Sequence, residues 1–252
     1  MKKILALSSA VLAFICWSFT QVTPRTDAEF EGAWTTSYTD ESGDKVNVVA
    51  IVQDGYMAQS YYKENPNLFI QTVGGPCAIT DNSISLEVHF SSSGNPQVGT
   101  KSVSGYTREG NTITMKEGGW IWTRIDQGTK TPLASAWFIT GRKRNGELRQ
   151  NYDLGPRRTM KILSGTRFQW IAYNMETGDF RGTGGGTYSA DKGKYTENIE
   201  FFSRDNSRVG ASLEFDFEVK AEEWHHSGLS SKGNPIYEIW SPIEKVSFSG
   251  GE

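Results

Sequence analysis

The stretch "FRGTGGGTYSADKGKYTENIEFFS", Phe180 to Ser203, carries glycines at Gly182, Gly184, Gly185 and Gly186. A glycine run that cradles a phosphate needs a strand before it and a helix opening directly behind it. Here Thr187-Tyr188-Ser189 and a Lys-Gly turn follow, then Tyr195, Ile199 and Phe201 in strand-like company. The rest of the chain supplies a structural reading. "GGPCAITDNSISLEVHF", Gly74 to Phe90, lies over "GGTYSADKGKYTENIEF", Gly185 to Phe201, without a gap, so that Gly75 falls on Gly186. A long strand that must bend sharply uses glycine at the bend or bulge, and both stretches read as that corner.

Other landmarks keep the same order in both halves. "AWTTSYTDESG" from Ala33 matches "AWFITGRKRNG" from Ala136; Val98-Gly99 matches Val209-Gly210; "IWTR" and "IWSP" pair Trp122 with Trp240. The chain is therefore read as an internal duplication, with Gln127–Pro132 as the linker between a unit over 27–126 and one over 133–247. Each half offers about eight short segments of alternating apolar and polar residues between Gly, Asn, Asp, Ser and Pro turns. In the first half they lie near Trp34–Thr39, Val46–Val52, Met57–Tyr62, Phe69–Ile79, Ser83–Phe90, Ser102–Arg108, Thr112–Lys116 and Trp120–Ile125. Sequential antiparallel strands with short turns predict an all-β protein of two up-and-down barrels, because closure removes exposed sheet edges.

Composition narrows the function classes. The formal net charge is −3, which argues against a basic nucleic-acid surface. Lys2 and Lys3 precede an apolar run from Ile4 to Phe19, the pattern of a secretory signal peptide over residues 1–20 with cleavage near Thr20. Ile15 stands before Cys16 where a lipid anchor would want a small residue. Secretion or a periplasmic location is expected, with no membrane span after the leader is removed. Only Cys16 and Cys77 occur, so the exported chain would hold together without a disulfide, and Cys77 reads as a buried, inert thiol.

Gly32-Ala33-Trp34, opening a meander of eight strands, resembles the G-x-W start of lipocalins. The second half, with "GTGGGTY", "KYTENIEFFS" and "YEIW", resembles the lipocalin-like (calycin) domains of secreted bacterial proteins of uncharacterised function. The resemblance implies small barrels enclosing a ligand cavity, with Trp34 closing a barrel floor beneath Arg124. The second half departs from the pattern, with Ser135 in place of the glycine and Pro242 in place of the arginine.

The duplication lets one half orient the other. In the first, Ile84, Leu86, Val88 and Phe90 alternate with Ser85, Glu87 and His89, so the apolar set is expected inside. Their counterparts are Tyr195, Glu197, Ile199 and Phe201, which places Glu197 in a lumen where the first half has Leu86. Likewise His226 takes the place of Met115 and Trp224 that of Ile113, with His225 pointing to solvent. Leu213, Phe215, Phe217 and Val219 are expected to form a wall, and Phe168 and Trp170, falling on Met57 and Gln59, to join it. The first barrel is expected to be more aliphatic and filled.

The resulting expectation is a binding site for a small apolar or aromatic ligand in the second barrel. It would be formed by Phe168, Trp170, Tyr195, Glu197, Ile199, Phe215, Phe217, Trp224 and His226. A cofactor-independent isomerase, cyclase or lyase using Glu197 and His226 as acid and base is the alternative. A structural or partner-binding module of the cell envelope is another. No cofactor is called for. Adjacent histidines on a strand face opposite ways, which argues against a metal site at "WHH".

Overall fold

The computed structural model describes residues 29–126, 131–230 and 233–249. The expected leader over 1–20 and residues 127–130 of the expected linker lie outside them. The first nine strands are β1 (Gly32–Thr39), β2 (Lys45–Gln53), β3 (Tyr56–Glu64), β4 (Asn67–Ile79), β5 (Ser83–Glu87), β6 (Phe90–Ser91), β7 (Lys101–Glu109), β8 (Thr112–Met115) and β9 (Ile121–Arg124). The second series starts with β10 (Ser135–Arg144), β11 (Glu147–Gln150), β12 (Asp153–Leu154), β13 (Arg157–Leu163), β14 (Arg167–Asn174) and β15 (Phe180–Asp191). It ends with β16 (Lys194–Phe202), β17 (Ser212–Lys220), β18 (Glu223–Leu229), β19 (Pro235–Pro242) and β20 (Ser247–Phe248).

Each series closes on itself as an eight-stranded antiparallel barrel, through β1–β9 pairing in the first and β10–β19 pairing in the second. Among the described residues no helix is long and apolar enough to cross a membrane.

The glycine corners behave alike. Gly75 and Gly186 share a backbone φ of +156°, and a Cβ on either would collide with a carbonyl oxygen of the next strand, Glu87 or Asn198. Here the chain doubles over itself so closely that only glycine fits. The corner also shifts the register: Gly185 faces Phe201 but Gly186 faces Ile199, leaving Glu200 bulged. In the first barrel the same disruption ends β5 at Glu87 and starts β6 at Phe90, which pairs with Gly74.

This corrects the expectation that Phe90 and Phe201 face their lumens. An extra residue in a strand reverses which side the following side chains take. Both phenylalanines point instead into a core shared by the two barrels. That core joins Val49, Ile51, Tyr62 and Phe90 to Met160, Ile162, Tyr173 and Phe201. Each barrel thus keeps an apolar outer face and buries it against its neighbour.

Carboxylates tie the lower ends together. Asp54, in the β2–β3 turn, accepts from the Ser135 hydroxyl and, at 2.8 Å, from the Ala136 N–H. Asp126, following β9, accepts from the Ala33 N–H at 3.2 Å, from the Thr166 N–H at 3.1 Å and from the Ser164 hydroxyl. At the opposite ends Phe69 stacks on Phe180. The barrels therefore stand side by side with both floors down.

The tryptophans close those floors. Trp34 Nε1 donates to the Phe30 carbonyl at 3.0 Å, and Trp137 Nε1 to the Leu133 carbonyl at 2.9 Å. The Arg124 guanidinium lies 4.2 Å from the Trp34 ring. Opposite Trp137 the register places Pro242.

Candidate functional site

Strand alternation decides what enters the second lumen. On β13, Met160 and Ile162 face the first barrel, so Arg157, Thr159 and Lys161 face inward. The cavity they border is open at its upper end and has a volume of about 1020 Å³. Of the residues expected in it, Trp170, Glu197, Ile199 and Phe215 line it. Phe168, Tyr195 and Trp224 form a packed aromatic layer below, above Trp137. His226 belongs to that layer, its ring 4.5 Å from Phe215 and 5.3 Å from Trp224. Phe217 sits half-buried at the margin of the layer, and Val219, expected in the wall, is exposed. Val219 lies two residues before the hairpin turn at Ala221-Glu222, near the end of the barrel wall.

The residue that organises the floor is Lys161. Its ammonium lies 2.8 Å from Glu197 Oε1, and both side chains are almost fully buried. It is surrounded by the rings of Trp224, Tyr195, Trp240 and Phe215, at 4.8, 4.9, 5.2 and 5.9 Å to their centroids. Aromatic faces are electron-rich and attract a cation, so the cage partly replaces the hydration the ammonium has lost. Tyr195 donates its hydroxyl to the same Glu197 oxygen at 3.0 Å. Burial first, and then the Glu197 charge, push the Tyr195 phenol well above its ordinary range, so it stays a donor.

Glu197 and His226 do not form a pair. The carboxylate near His226 is Glu238, whose Oε2 lies 3.4 Å from Nδ1. This contact falls short of hydrogen-bond geometry, and neither ring nitrogen of His226 has a hydrogen-bond partner among the described residues. Burial, reinforced by the Lys161 charge, lowers the pKa of this imidazole and favours its neutral form. Burial pushes the Glu238 carboxyl up. Its neighbours His226, Lys161 and Arg142 outweigh that and hold it below the usual carboxylate value. His225, on the opposite strand face, bonds the Tyr237 hydroxyl at 2.8 Å and takes no part.

The first barrel shows how unusual this floor is. Strand register equates Lys161 with Ala50, Glu197 with Leu86, His226 with Met115 and Glu238 with Trp120. Four polar lumen positions in one barrel are thus apolar in the other. The sequence reading identified Glu197 and His226 and missed the other two. Lys161 was detectable as the single charge among Thr159-Met160-Lys161-Ile162-Leu163, and Glu238 as the acid inside Tyr237-Glu238-Ile239-Trp240.

The first lumen is hollow rather than filled. Its cavity of about 310 Å³ is bounded by Trp34, Val48, Ala50, Met57, Ile84 and Leu86 among others, with Glu117 as the one charged group among the described residues. At the level of the second barrel's packed aromatic floor the first has smaller side chains: Ile84 for Tyr195, Ser104 for Phe215 and Ile113 for Trp224. Cys77 is buried in this barrel's core, where burial pushes its thiol up to about 12.

Among the described residues no group of three or more His, Cys, Asp and Glu side chains gathers in a metal-holding arrangement. No protein-family model matches the chain, and no curated protein matches it in sequence.

Proposed function

We propose that this protein is an exported, lipocalin-like double barrel that binds a small organic molecule in its second lumen. One observation carries the reading. The cavity of about 1020 Å³ ends on a buried polar floor, Lys161–Glu197 with His226–Glu238, which the first barrel lacks. A buried ion pair costs desolvation and is seldom worth more than apolar packing in the same place. Its occurrence in one of two duplicated barrels, beside an open cavity, therefore favours a role in ligand recognition over one in stability. The aromatic walls would take the body of the ligand, and the floor would orient it.

The acid–base alternative is weakened by the geometry, since Glu197 is held by Lys161 and Tyr195 and stands apart from His226 as a reacting partner. Binding is tested by native mass spectrometry of the full exported chain, comparing wild type with Ala172→Trp, which fills the second lumen, and Ala50→Trp, which fills the first. A co-purifying small molecule is expected on the wild type and on Ala50→Trp, and should be absent from Ala172→Trp. Retention on Ala172→Trp with loss from Ala50→Trp would move the site to the first barrel.

A further inference from the structure

We infer that the second barrel takes an organic anion, an apolar or aromatic body bearing a carboxylate, phosphate or sulfonate. This rests on the proposal that the second lumen is the binding site, and it gives that ligand a charge. The chain as a whole is acidic, with a formal net charge of −3. The second cavity is the reverse: six arginines and Lys161 line it against three glutamates, while Arg158 at its edge turns away to stack on Phe248. The first cavity, built on the equivalent strands, has no cation among the described residues that line it. An excess of one sign in a low-dielectric cleft focuses the field and concentrates ions of the other sign.

The excess lies above the floor. Lys161 is neutralised by Glu197, and Arg142 faces Glu238 at 3.4 Å. Arg149 and Arg181 have carboxylates beside them, Glu147 and Asp179. Arg144, Arg157 and Arg204 have no carboxylate partner among the described residues, and all three border the cavity. They come from three separate places, the end of β10, the start of β13 and the loop after β16, so closing the barrel is what brings them to one rim.

A second observation is independent of these charges. Trp240 lines the same cavity at 2% exposure, and its indole N–H has no acceptor among the described residues. An indole N–H can only donate, and a buried donor calls for an acceptor. An anionic oxygen set supplies several at once, in the geometry a guanidinium matches best. Below the rim, Trp170, Ile199, Leu213 and Phe215 offer apolar and aromatic surface for the remainder of such a ligand.

Two fluorescent probes with the same ring skeleton separate charge from apolar contact: anilinonaphthalene sulfonate, an anion, and phenylnaphthylamine, which is neutral. Both are titrated against the full chain, its Arg157→Ala and Arg204→Ala variants, and Ala172→Trp. The sulfonate is expected to bind about tenfold more weakly for each guanidinium removed, the scale of a charge-assisted hydrogen bond. Its binding should also weaken from low salt to about 0.5 M sodium chloride, as screened charges require. The neutral probe should respond to neither change. Arg157 and Arg204 are exposed, so their variants should fold, and circular dichroism checks this. If Ala172→Trp abolishes sulfonate binding while the arginine variants and salt leave it unchanged, the lumen binds ligands but not through charge, and the inference fails alone. If folded Ala172→Trp binds the sulfonate as well as wild type, the lumen is not the site and the proposed function fails with it.

Discussion

Phe69 and Phe180 hold the same position in the two barrels, directly opposite Tyr62 and Tyr173, and they stack on each other with rings 6° from parallel. A residue that meets its own counterpart lies on a two-fold axis. The flanking contacts obey the same symmetry: Tyr62 packs on Phe201 at 5.1 Å between centroids, and Tyr173 on Phe90 at 5.3 Å. The interface between the barrels is therefore isologous, the kind that joins two copies of one protein. The duplicated chain has the geometry of a homodimer whose subunits were joined end to end.

That symmetry predicts how the second half behaves by itself. Cut free from residue 131 onward, it would expose Met160, Ile162, Tyr173 and Phe201 to water. A large apolar face of this kind marks an interaction surface. The fragment should self-associate through it, read by light scattering after size exclusion. A monomer that unfolds cooperatively would show that the shared core is dispensable.

The floor tryptophans should be worth what large buried aromatics usually are. Trp34 is 2% and Trp137 4% exposed. Replacing either with Ala is expected to cost about 3–5 kcal/mol in urea unfolding. A loss below ~1 kcal/mol at both sites would be incompatible with their closing the barrels.

The Lys161–Glu197 pair should behave asymmetrically. Lys161→Met strands a buried carboxylate and is expected to destabilise by about 3–5 kcal/mol. Adding Glu197→Leu, which restores the residue found at Leu86, should recover most of that loss, because it removes the uncompensated charge. Equilibrium unfolding of both single variants and the double variant measures the coupling. Additive losses would mean that the two charges are solvated separately.

Gly186→Ala, and equally Gly75→Ala, should be severe. The new methyl would collide with the Asn198 or Glu87 carbonyl in a region of φ that L-residues avoid. A cost of roughly 3 kcal/mol or more is expected, since backbone would have to move. Thermal melts near wild type would mean the corner is not tight.

Acid should destabilise the fold through its histidines. Burial, then Arg158 and Lys101, lower His89 to about 3, and burial lowers His226 as well. In the unfolded chain both titrate near their ordinary value of 6.5. Below that value the unfolded state binds more protons than the native state, so stability rises with pH and is lost as pH falls. For His89 the loss runs from 6.5 down to about 3. The slope is at most about 1.4 kcal/mol per pH unit for each group. Urea midpoints taken from pH ~7 to ~4.5 should fall, and His89→Gln should flatten the trend. An unchanged slope in that variant would remove His89 from the account.

The duplication, strand count and floor tryptophans were legible because each leaves a local mark: a glycine pair, a turn, an Ala-Trp start. The side taken by Phe90 and Phe201 was not. Their alternation runs unbroken in sequence, and the bulge that reverses it arises from strands meeting at the Gly75 and Gly186 corners. Glu197 was found because Leu86 stands opposite it in the alignment. The same comparison, extended to the strand of Ala50, would have revealed Lys161. The unpaired arginines are harder to see, since Arg144, Arg157 and Arg204 look like ordinary surface residues until the barrel closes.

The carboxylate ties of Asp54 and Asp126 at one end, and the Phe69–Phe180 stack at the other, give the molecule a direction. One end is sealed twice by tryptophan, and both entrances look the same way. Anything that meets the open end encounters two doors of different character, one aliphatic and nearly uncharged, the other ringed with guanidinium. A single approach therefore meets both openings at once, without the molecule turning round.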